Sequence, residues 1–283
     1  MAKRFISSTV VNTKCAVAKA TSFVMADRVL LSLQRKLHNN AYIRAVNYHQ
    51  TPAETASNFE KQLEFYKHHF CPVSLPDLSR FLNSREWEKD KPGLIISFDD
   101  GFKNNYEVAA PLLEEFGFTG WFFVPTAFIY TPGVEQPKYI DGYVTMSWDE
   151  LRKLDRKHVI GCHTETHHRM VASTSEEKLD EEIIQSKHFL EEKLGHQVDI
   201  FCWCGGEKSS YSGAAAKYIS KAGYQYAFMT NCAPILFTTD SLHLQRTNIE
   251  SHWPIELVKY QLCGLMDILY TPFRIWVDRM TNI

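Results

Sequence analysis

Short apolar runs alternate with amphipathic stretches along most of this chain. The apolar runs are typical of buried strands, and they lie at residues 43–48, 94–98, 120–125, 159–162, 200–203, 226–229 and 242–249. Between them, the spacing of apolar positions predicts helices at residues 58–69, 76–82, 104–116, 148–157, 174–194 and 214–222. This alternation favours a parallel-sheet α/β fold, either as an open sheet or as a closed barrel.

Local chemistry marks several helix boundaries. Ser147 and Glu150 have the Ser-x-x-Glu spacing of a capping box, which predicts a helix start. Gly117 and Gly195 follow helical stretches and are expected to end them. Pro111 lies inside the helix predicted at residues 104–116 and should kink or divide it.

The two ends of the chain differ from its middle. Residues 11–38 lack Gly and Pro and predict an amphipathic helix, while residues 255–280 combine a dense apolar pattern with scattered cations. We therefore predict an N-terminal helical extension (1–40), an α/β domain (41–253) and an apolar helical tail (254–283). The tail is expected to pack on the domain, with contact at a membrane surface as the alternative.

Composition narrows the functional classes. With 31 basic and 33 acidic residues the net charge is −2, so no overall field favours nucleic acid. The seven cysteines form an odd set without small-scaffold spacing, which fits a reducing compartment. Lysines interrupt the apolar residues near the start, and later apolar windows are too short to span a bilayer. We expect a cytoplasmic protein, or one at the inner face of the cytoplasmic membrane.

Candidate chemistry lies at the ends of two predicted strands. Asp99 and Asp100 follow the strand at 94–98, although on these residues alone a simple Asp-Gly turn is the better explanation. His163 and His167 follow the strand at 159–162, and their spacing converges on one cation if the chain turns helically there. With Asp100 they would form a His₂Asp site that leaves a coordination position open for water, as hydrolytic metal centres require.

The motifs ISFDDGF and HTETHH resemble the first two motifs of the polysaccharide deacetylases, the NodB-homology or family 4 carbohydrate esterase group. The resemblance extends over residues 43–249 and includes GWFFVPTAF and MSWDEL. It implies a distorted (β/α) barrel. It also implies that Asp99 is the general base and that Asp100, His163 and His167 bind a divalent metal, usually zinc.

The third motif departs from the family pattern. Where the family has an Arg-Pro-Pro-Tyr run, this chain has FCWCGGE, which contains Trp203, Gly205 and Gly206. The tyrosine position supplies a backbone N–H to the oxyanion, so Gly205 is the predicted donor. Arg246 is predicted to replace the missing arginine beside Asp99. Trp203 and Gly206 are candidates for substrate contact, although buried tryptophans usually belong to the core.

The general acid is also predicted from a resemblance. His49 ends the segment VNYHQ, which resembles the poly-N-acetylglucosamine deacetylase branch, where the acid-bearing motif lies on the N-terminal side of the barrel. We therefore predict His49 as the acid that protonates the leaving amine. His243, which follows Leu242, is the alternative.

The expected function is metal-dependent removal of an N-acetyl group from an amino sugar in a polysaccharide, lipopolysaccharide or lipid-linked glycan precursor. One alternative is hydrolysis of another amide or of an O-acetyl ester on the same fold. A second is an inactive, metal-containing carbohydrate-binding protein, suggested by the missing motif-three arginine. Intact Asp99 weighs against the second alternative, because binding alone needs no free base. The sugar, the linkage and the oligomeric state are left open.

Overall fold

Eight parallel strands stand side by side in a nearly closed barrel, and helices pack around it. This computed structural model describes Cys15, Ala18 and residues 26–282. The strands are β1 Ile43–Tyr48, β2 Cys71–Pro72, β3 Gly93–Phe98, β4 Gly120–Val124, β5 Tyr139–Ile140, β6 Tyr143–Val144, β7 Val159–Cys162, β8 Ile200–Cys202, β9 Tyr226–Met229, β10 Leu244–Gln245 and β11 Thr247–Asn248. The α-helices are α1 Ala26–Leu37, α2 Ala56–His69, α3 Leu75–Ser79, α4 Ala110–Phe116, α5 Trp148–Asp155, α6 Glu176–Leu179, α7 Ser186–Leu194, α8 Gly213–Lys221, α9 Ile255–Leu262 and α10 Leu265–Thr281. Short 3₁₀ turns lie at Ala53–Thr55, Thr126–Phe128 and Lys208–Ser210, and π-helical segments at Arg80–Ser84, Asn105–Ala109 and Asp180–Gln185.

One segment of the chain closes the barrel. The strand order is β10-β9-β8-β7-β4-β3-β1-β11, with β2 beside β3 and every pair in this sheet parallel. β10 pairs with β9, and β11 pairs with β1 after a break at Arg246. The strand predicted at 242–249 is therefore divided, because the chain changes its pairing partner at this residue. This closure confirms the distorted (β/α) barrel.

Side chains alternate between two apolar layers. Along β3, Ile95 belongs to one buried cluster, while Leu94, Ile96 and Phe98 belong to the other. Successive residues of a strand point to opposite faces, so these clusters are the inside of the barrel and the layer beneath the helices. Ser97 and Asp99 continue the inward series of Ile95, which directs Asp99 towards the mouth of the barrel.

Two predicted helices contain π-helical segments. The stretch predicted at 104–116 begins with the π-helical Asn105–Ala109, and Pro111 lies in the first turn of α4, where a missing N–H is tolerated. In the stretch predicted at 174–194, Asp180–Gln185 widens the helix between α6 and α7. The capping box at Ser147 and Glu150 is confirmed.

Both terminal extensions attach near the start of β1. Arg44 is buried and bonds to both carboxylate oxygens of Asp267 on α10, and it also donates to Gln34 on α1. α1 confirms the helical prediction for residues 26–37, whereas most of the predicted residues 11–25 lie outside the described part of the chain. Within residues 26–282, no helix is both long and apolar enough to cross a bilayer.

Candidate active site at the carboxyl edge of the barrel

The two aspartates that follow β3 leave the strand in different directions. Asp100 and Gly101 both have left-handed backbone conformations, with φ of 69° and 67°. A Cβ atom on Gly101 would lie 2.9 Å from the side chain of Ile129, so this turn requires glycine. The turn separates the neighbouring carboxylates and gives each its own set of partners.

Asp99 forms a buried bidentate ion pair with Arg246. The two guanidinium nitrogens lie 2.7 Å from Oδ1 and 2.9 Å from Oδ2, and one of them also donates to Ser97 Oγ. Burial alone would raise the pKa of Asp99, but the charge of Arg246 outweighs it and holds the pKa at about 2. The structure thus brings Arg246 to Asp99, as its predicted role requires, and that role itself stays a prediction.

His163 presents one ring nitrogen to the site. Its Nδ1 lies 2.8 Å from the carbonyl oxygen of Cys202, which can only accept, so Nδ1 carries the proton and the lone pair is on Nε2. Burial lowers the pKa of His163 to about 4. The imidazole is therefore neutral near pH 7 and available as a metal ligand.

The donor set fits a cation. Asp100 Oδ1 lies 3.7 Å from His163 Nε2 and 3.3 Å from His167 Nε2. A tetrahedral zinc with nitrogen and oxygen ligands at about 2.0–2.1 Å separates its ligand atoms by about 3.3–3.4 Å. Asp100 Oδ1 is buried and has no hydrogen-bond partner among the described residues, which is the condition of a ligand atom facing an ion.

Cys204 is a second candidate for the third metal ligand beside His163 and His167. Ligand atoms of His163, His167 and Cys204 lie within 4.8 Å of one another. The sulfur, however, is 3.7 Å from His163 Nδ1 and 3.8 Å from its Nε2, so it lies across the ring and not along the Nε2 lone pair. Asp100 is therefore better placed than Cys204 to share a cation with His163 Nε2, and Cys204 is buried.

Glu182 fixes the loop that carries the histidines. Its Oε2 accepts from the backbone N–H groups of Glu165 and Thr166 at 2.9 and 2.8 Å, and its Oε1 accepts from the Thr166 hydroxyl and pairs with Lys178. Glu182 is fully buried, although charged positions on an amphipathic helix usually face solvent. Glu182 lies in the π-helical segment Asp180–Gln185, which directs its side chain inward. No local sequence signal predicts a π-helix at this position.

His49 lies at the carboxyl end of β1, with 42% of its side chain exposed. Its Nδ1 is 3.7 Å from Glu250, a residue after β11 that the sequence analysis does not identify. Partial burial lowers the pKa of His49, but the contact with Glu250 and the charges of Asp100 and Asp99 outweigh it and raise the pKa to about 9. His49 is thus protonated near pH 7.

The alternative acid, His243, faces away from the site. Its neighbour Leu244 belongs to the inner cluster, so alternation directs His243 outward. There its ring nitrogens lie 3.1 Å from Asp240 and 2.8 Å from the Thr281 hydroxyl on α10. This position removes His243 as the alternative to His49.

The third-motif segment is divided between core and rim. Trp203 is 2% exposed and packs against Phe201 and Tyr211 beneath the helices, so the predicted sugar contact at Trp203 is corrected to core packing. Trp203 faces the helices because its neighbour Cys202 faces the inside of the barrel. Gly205 has φ of 86° and leaves no room for a Cβ beside Ser210, while Gly206 is partly exposed. Their predicted roles stay predictions.

The hairpin formed by β5 and β6 borders the site. It lies in the long loop between β4 and α5. Tyr139 is 67% exposed and Tyr143 is 37% exposed, and the Tyr143 ring packs edge-on against Phe102 at 6.0 Å. Phe102 directly follows Gly101, so Tyr143 lies beside the aspartate motif, and Tyr139 is on the paired strand of the hairpin.

Comparisons with known proteins agree with this geometry. The family model described as polysaccharide deacetylase matches residues 87–227, which contain both the aspartate and the histidine motifs. The poly-beta-1,6-N-acetyl-D-glucosamine N-deacetylase of Escherichia coli strain K12 is 20% identical over 264 residues, covering 78% of this chain and 38% of the relative. The chain thus spans well under half the length of the curated relatives that it matches.

Solved structures show the same fold. The Streptococcus pyogenes deacetylase PplD, in complex with acetate, has a TM-score of 0.65 and 19% identity, with 78% of this chain and 98% of that chain covered. IcaB from Ammonifex degensii has a TM-score of 0.65 and 16% identity, with 78% and 97% covered. At these identities the likeness establishes the barrel architecture.

Proposed function

Since residues 87–227 form a polysaccharide deacetylase domain, we propose that the protein removes the N-acetyl group from an amino sugar within a glycan. The observation that carries this proposal is that two adjacent aspartates have different partners. Asp99 pairs with Arg246, while Asp100 faces His163 and His167. The poly-N-acetylglucosamine deacetylases among the relatives support an N-acetylated glycan as substrate.

We propose that Asp100, His163 and His167 hold a divalent cation, with zinc the metal that best suits this donor set. Such a cation, when bound, lowers the pKa of water to about 7 and polarises a carbonyl oxygen. Arg246 keeps the Asp99 carboxylate ionised and oriented, so that it accepts the proton of the attacking water. The Gly205 N–H is proposed as a donor to the developing oxyanion.

His49 completes the reaction by donating a proton to the leaving amine. An amine is a poor leaving group until it is protonated, and His49 is cationic near pH 7 because of its acidic neighbours. The products are acetate and a free amino sugar. A cationic acid at this position favours amide hydrolysis over the alternative of O-acetyl ester hydrolysis.

The alternative of an inactive binding protein rests on the missing motif-three arginine. Arg246, between β10 and β11, supplies a buried guanidinium to Asp99, which weighs against that alternative. For substrate contact, Tyr139 and Tyr143 on the hairpin now replace Trp203 as the aromatic candidates, because exposed aromatic faces suit pyranose rings.

Location and substrate carrier are also proposals. The odd number of cysteines supports a reducing compartment, so we propose a cytoplasmic location. A glycan assembled inside the cell, or its lipid-linked precursor, would then be the substrate. Contact of the C-terminal tail with the inner face of the membrane fits the lipid-linked form.

The direct test measures both products. The zinc-loaded protein is incubated with β-1,6-linked N-acetylglucosamine oligomers, and acetate and free amine are quantified together. We expect both in equal amounts, and none with the Asp99→Asn variant. Acetate without amine from an O-acetylated glycan would favour the ester alternative, and no acetate from any acetylated sugar would contradict hydrolysis.

A further inference from the structure

A basic cavity lies beside α1, at the opposite end of the strands from Asp99. Its volume is about 600 Å³, and its charged or titratable lining is Arg28, Arg35, Lys36, His69 and Lys259. No carboxylate is among the described residues that line it. The C-terminal turn of α1 and the loop that leads into the first residue of β1 form one wall, which places the cavity at the N-terminal end of the barrel.

Among the described residues, none of the Arg and Lys side chains that line this cavity forms a salt bridge. Asp267 on α10 is held by Arg44 and Gln34, and Asp27 on α1 accepts from the backbone N–H of Arg28. Burial lowers the pKa of His69, and the charges of Arg35 and Lys259 lower it further, as expected in a positive potential. The cavity therefore suits an anion, and arginine side chains are well shaped to bind phosphate.

Exposed apolar side chains border the cavity on α1. Val29, Leu33 and Leu37 are spaced four residues apart and are 56%, 54% and 78% exposed, so they form one stripe along the helix. Arg28 and Lys36 directly precede members of this stripe.

A second apolar stripe lies on α10. Ile268, Leu269, Ile275 and Trp276 are between 40% and 70% exposed and recur at helical spacing. The two helices touch where Gln34 donates to Asp267, so Leu33 and Ile268 lie next to that contact. Soluble monomers rarely expose extended apolar surface of this kind.

From this juxtaposition we propose that the α1–α10 face binds an anionic membrane, with lipid phosphate groups in the basic cavity and the two stripes in the interfacial region. Apolar stripes beside cations are typical of surfaces that lie in the plane of a bilayer. This proposal concerns binding and does not depend on the proposed reaction.

Charge argues against two other occupants of this face. A second copy of the chain would bring the same cations against each other. Residues 1–25 contain four Lys or Arg residues and no acidic residue, so they cannot neutralise the cavity either. An anionic lipid surface complements both the cavity and this N-terminal sequence.

Vesicle flotation tests the proposal. We expect the full-length protein to float with phosphatidylcholine vesicles that contain 30% phosphatidylglycerol and not with phosphatidylcholine alone. Because cations near an anionic surface contribute strongly to binding, Arg35→Glu with Lys36→Glu should reduce the bound fraction at least about ten-fold. Leu33→Ser with Leu269→Ser should also reduce it, since both side chains are exposed in the free protein.

The matched control is Lys153→Glu with Arg156→Glu, which makes the same charge change at exposed positions near the end of α5. It should bind as the unaltered protein does, and circular dichroism should show all variants folded. Equal binding to neutral and anionic vesicles, unchanged binding by the cavity variant, or an equal loss in the control would each overturn the proposal. The proposal would also be overturned if the protein binds no vesicles and instead forms a dimer that Leu33→Ser with Leu269→Ser disrupts.

Discussion

Arg246 and Asp99 form a two-point contact across the mouth of the barrel, with nitrogen–oxygen distances of 2.7 and 2.9 Å. Both side chains are buried, so loss of either one leaves an uncompensated charge. The arginine that the third motif lacks is thereby supplied from the last strand segment. This relationship gives the first prediction.

Arg246→Ala should reduce kcat by about 10²–10⁴-fold, the usual contribution of a positioned acid or base, because Asp99 loses the partner that orients it. It should also lower the free energy of unfolding by about 3–5 kcal/mol. Acetate release and urea unfolding measure the two effects. Arg169→Ala, at an exposed arginine, is the control. Unchanged turnover in Arg246→Ala would remove the assignment.

Metal affinity separates Asp100 from Cys204 as the third ligand. Asp100→Ala should weaken zinc binding by more than about 100-fold, beyond the range seen for residues that only support a ligand. Cys204→Ala should change it little, because the sulfur lies across the His163 ring. Competition with a chelator measures the affinity. The cobalt-substituted protein should show no thiolate-to-cobalt absorption band, and a strong band would assign Cys204 to the metal instead.

Substitution of Glu182 should change cation binding only through the loop that carries His163 and His167. Glu182→Ala removes the acceptor for two backbone N–H groups, and we expect zinc affinity to fall by about 10–100-fold. Glu182→Gln keeps one acceptor oxygen and should lose less. The neighbouring Glu181, which is exposed and also pairs with Lys178, provides the matched control Glu181→Ala. Equal losses in the two alanine variants would mean that Lys178 pairing, and not loop support, is responsible.

The proposed acid gives a pH prediction. The pKa of His49 is raised to about 9, so its acid form is present below that value and is lost as the pH rises through it. The rate should therefore fall on the alkaline side as His49 loses its proton. Glu250→Gln removes the charge that stabilises the cation, so this limb should move to lower pH. A pH–rate profile in which Glu250→Gln leaves the alkaline limb in place would contradict the assignment, as would near-normal kcat in His49→Ala.

The hairpin tyrosines should act on substrate binding. Tyr139→Ala and Tyr143→Ala should raise KM by about 2–13-fold for an oligomeric glycan, since an aromatic contact contributes about 0.5–1.5 kcal/mol, with kcat little changed. Steady-state kinetics on long and short oligomers measure the effect. Phe189→Ala, at an exposed aromatic on α7, is the control. An unchanged KM for both tyrosine variants would exclude the hairpin from the binding groove.

The ends of strands could be predicted from the sequence because apolar runs and their polar ends are local features. For this reason the sequence predicts Asp99, Asp100 and the two histidines as one group. Arg246 could be predicted only because the third motif lacks its arginine. A buried carboxylate base needs a cationic partner, so another part of the chain has to supply it. The inward or outward direction of Trp203 depends on where β8 begins, and a shift of one residue reverses it.

Other features depend on distant parts of the chain. Glu182 reads as a solvated charge in the helical pattern, and only the π-helical widening between α6 and α7 turns it towards the histidine loop. Glu250 becomes a neighbour of His49 only when β11 pairs with β1. Neither relationship is present in any local window of sequence.

Barrel closure also sets the order in which the site can be assembled. The proposed cation ligands come from the ends of β3 and β7, in the middle of the chain. Arg246 is 147 residues beyond Asp99 and reaches it only when β10 and β11 bridge β9 and β1. A folding intermediate with an open seam would therefore bring together the groups that bind the metal before those that orient the base and charge the acid. Catalysis would then require closure of the seam, whereas cation binding would not.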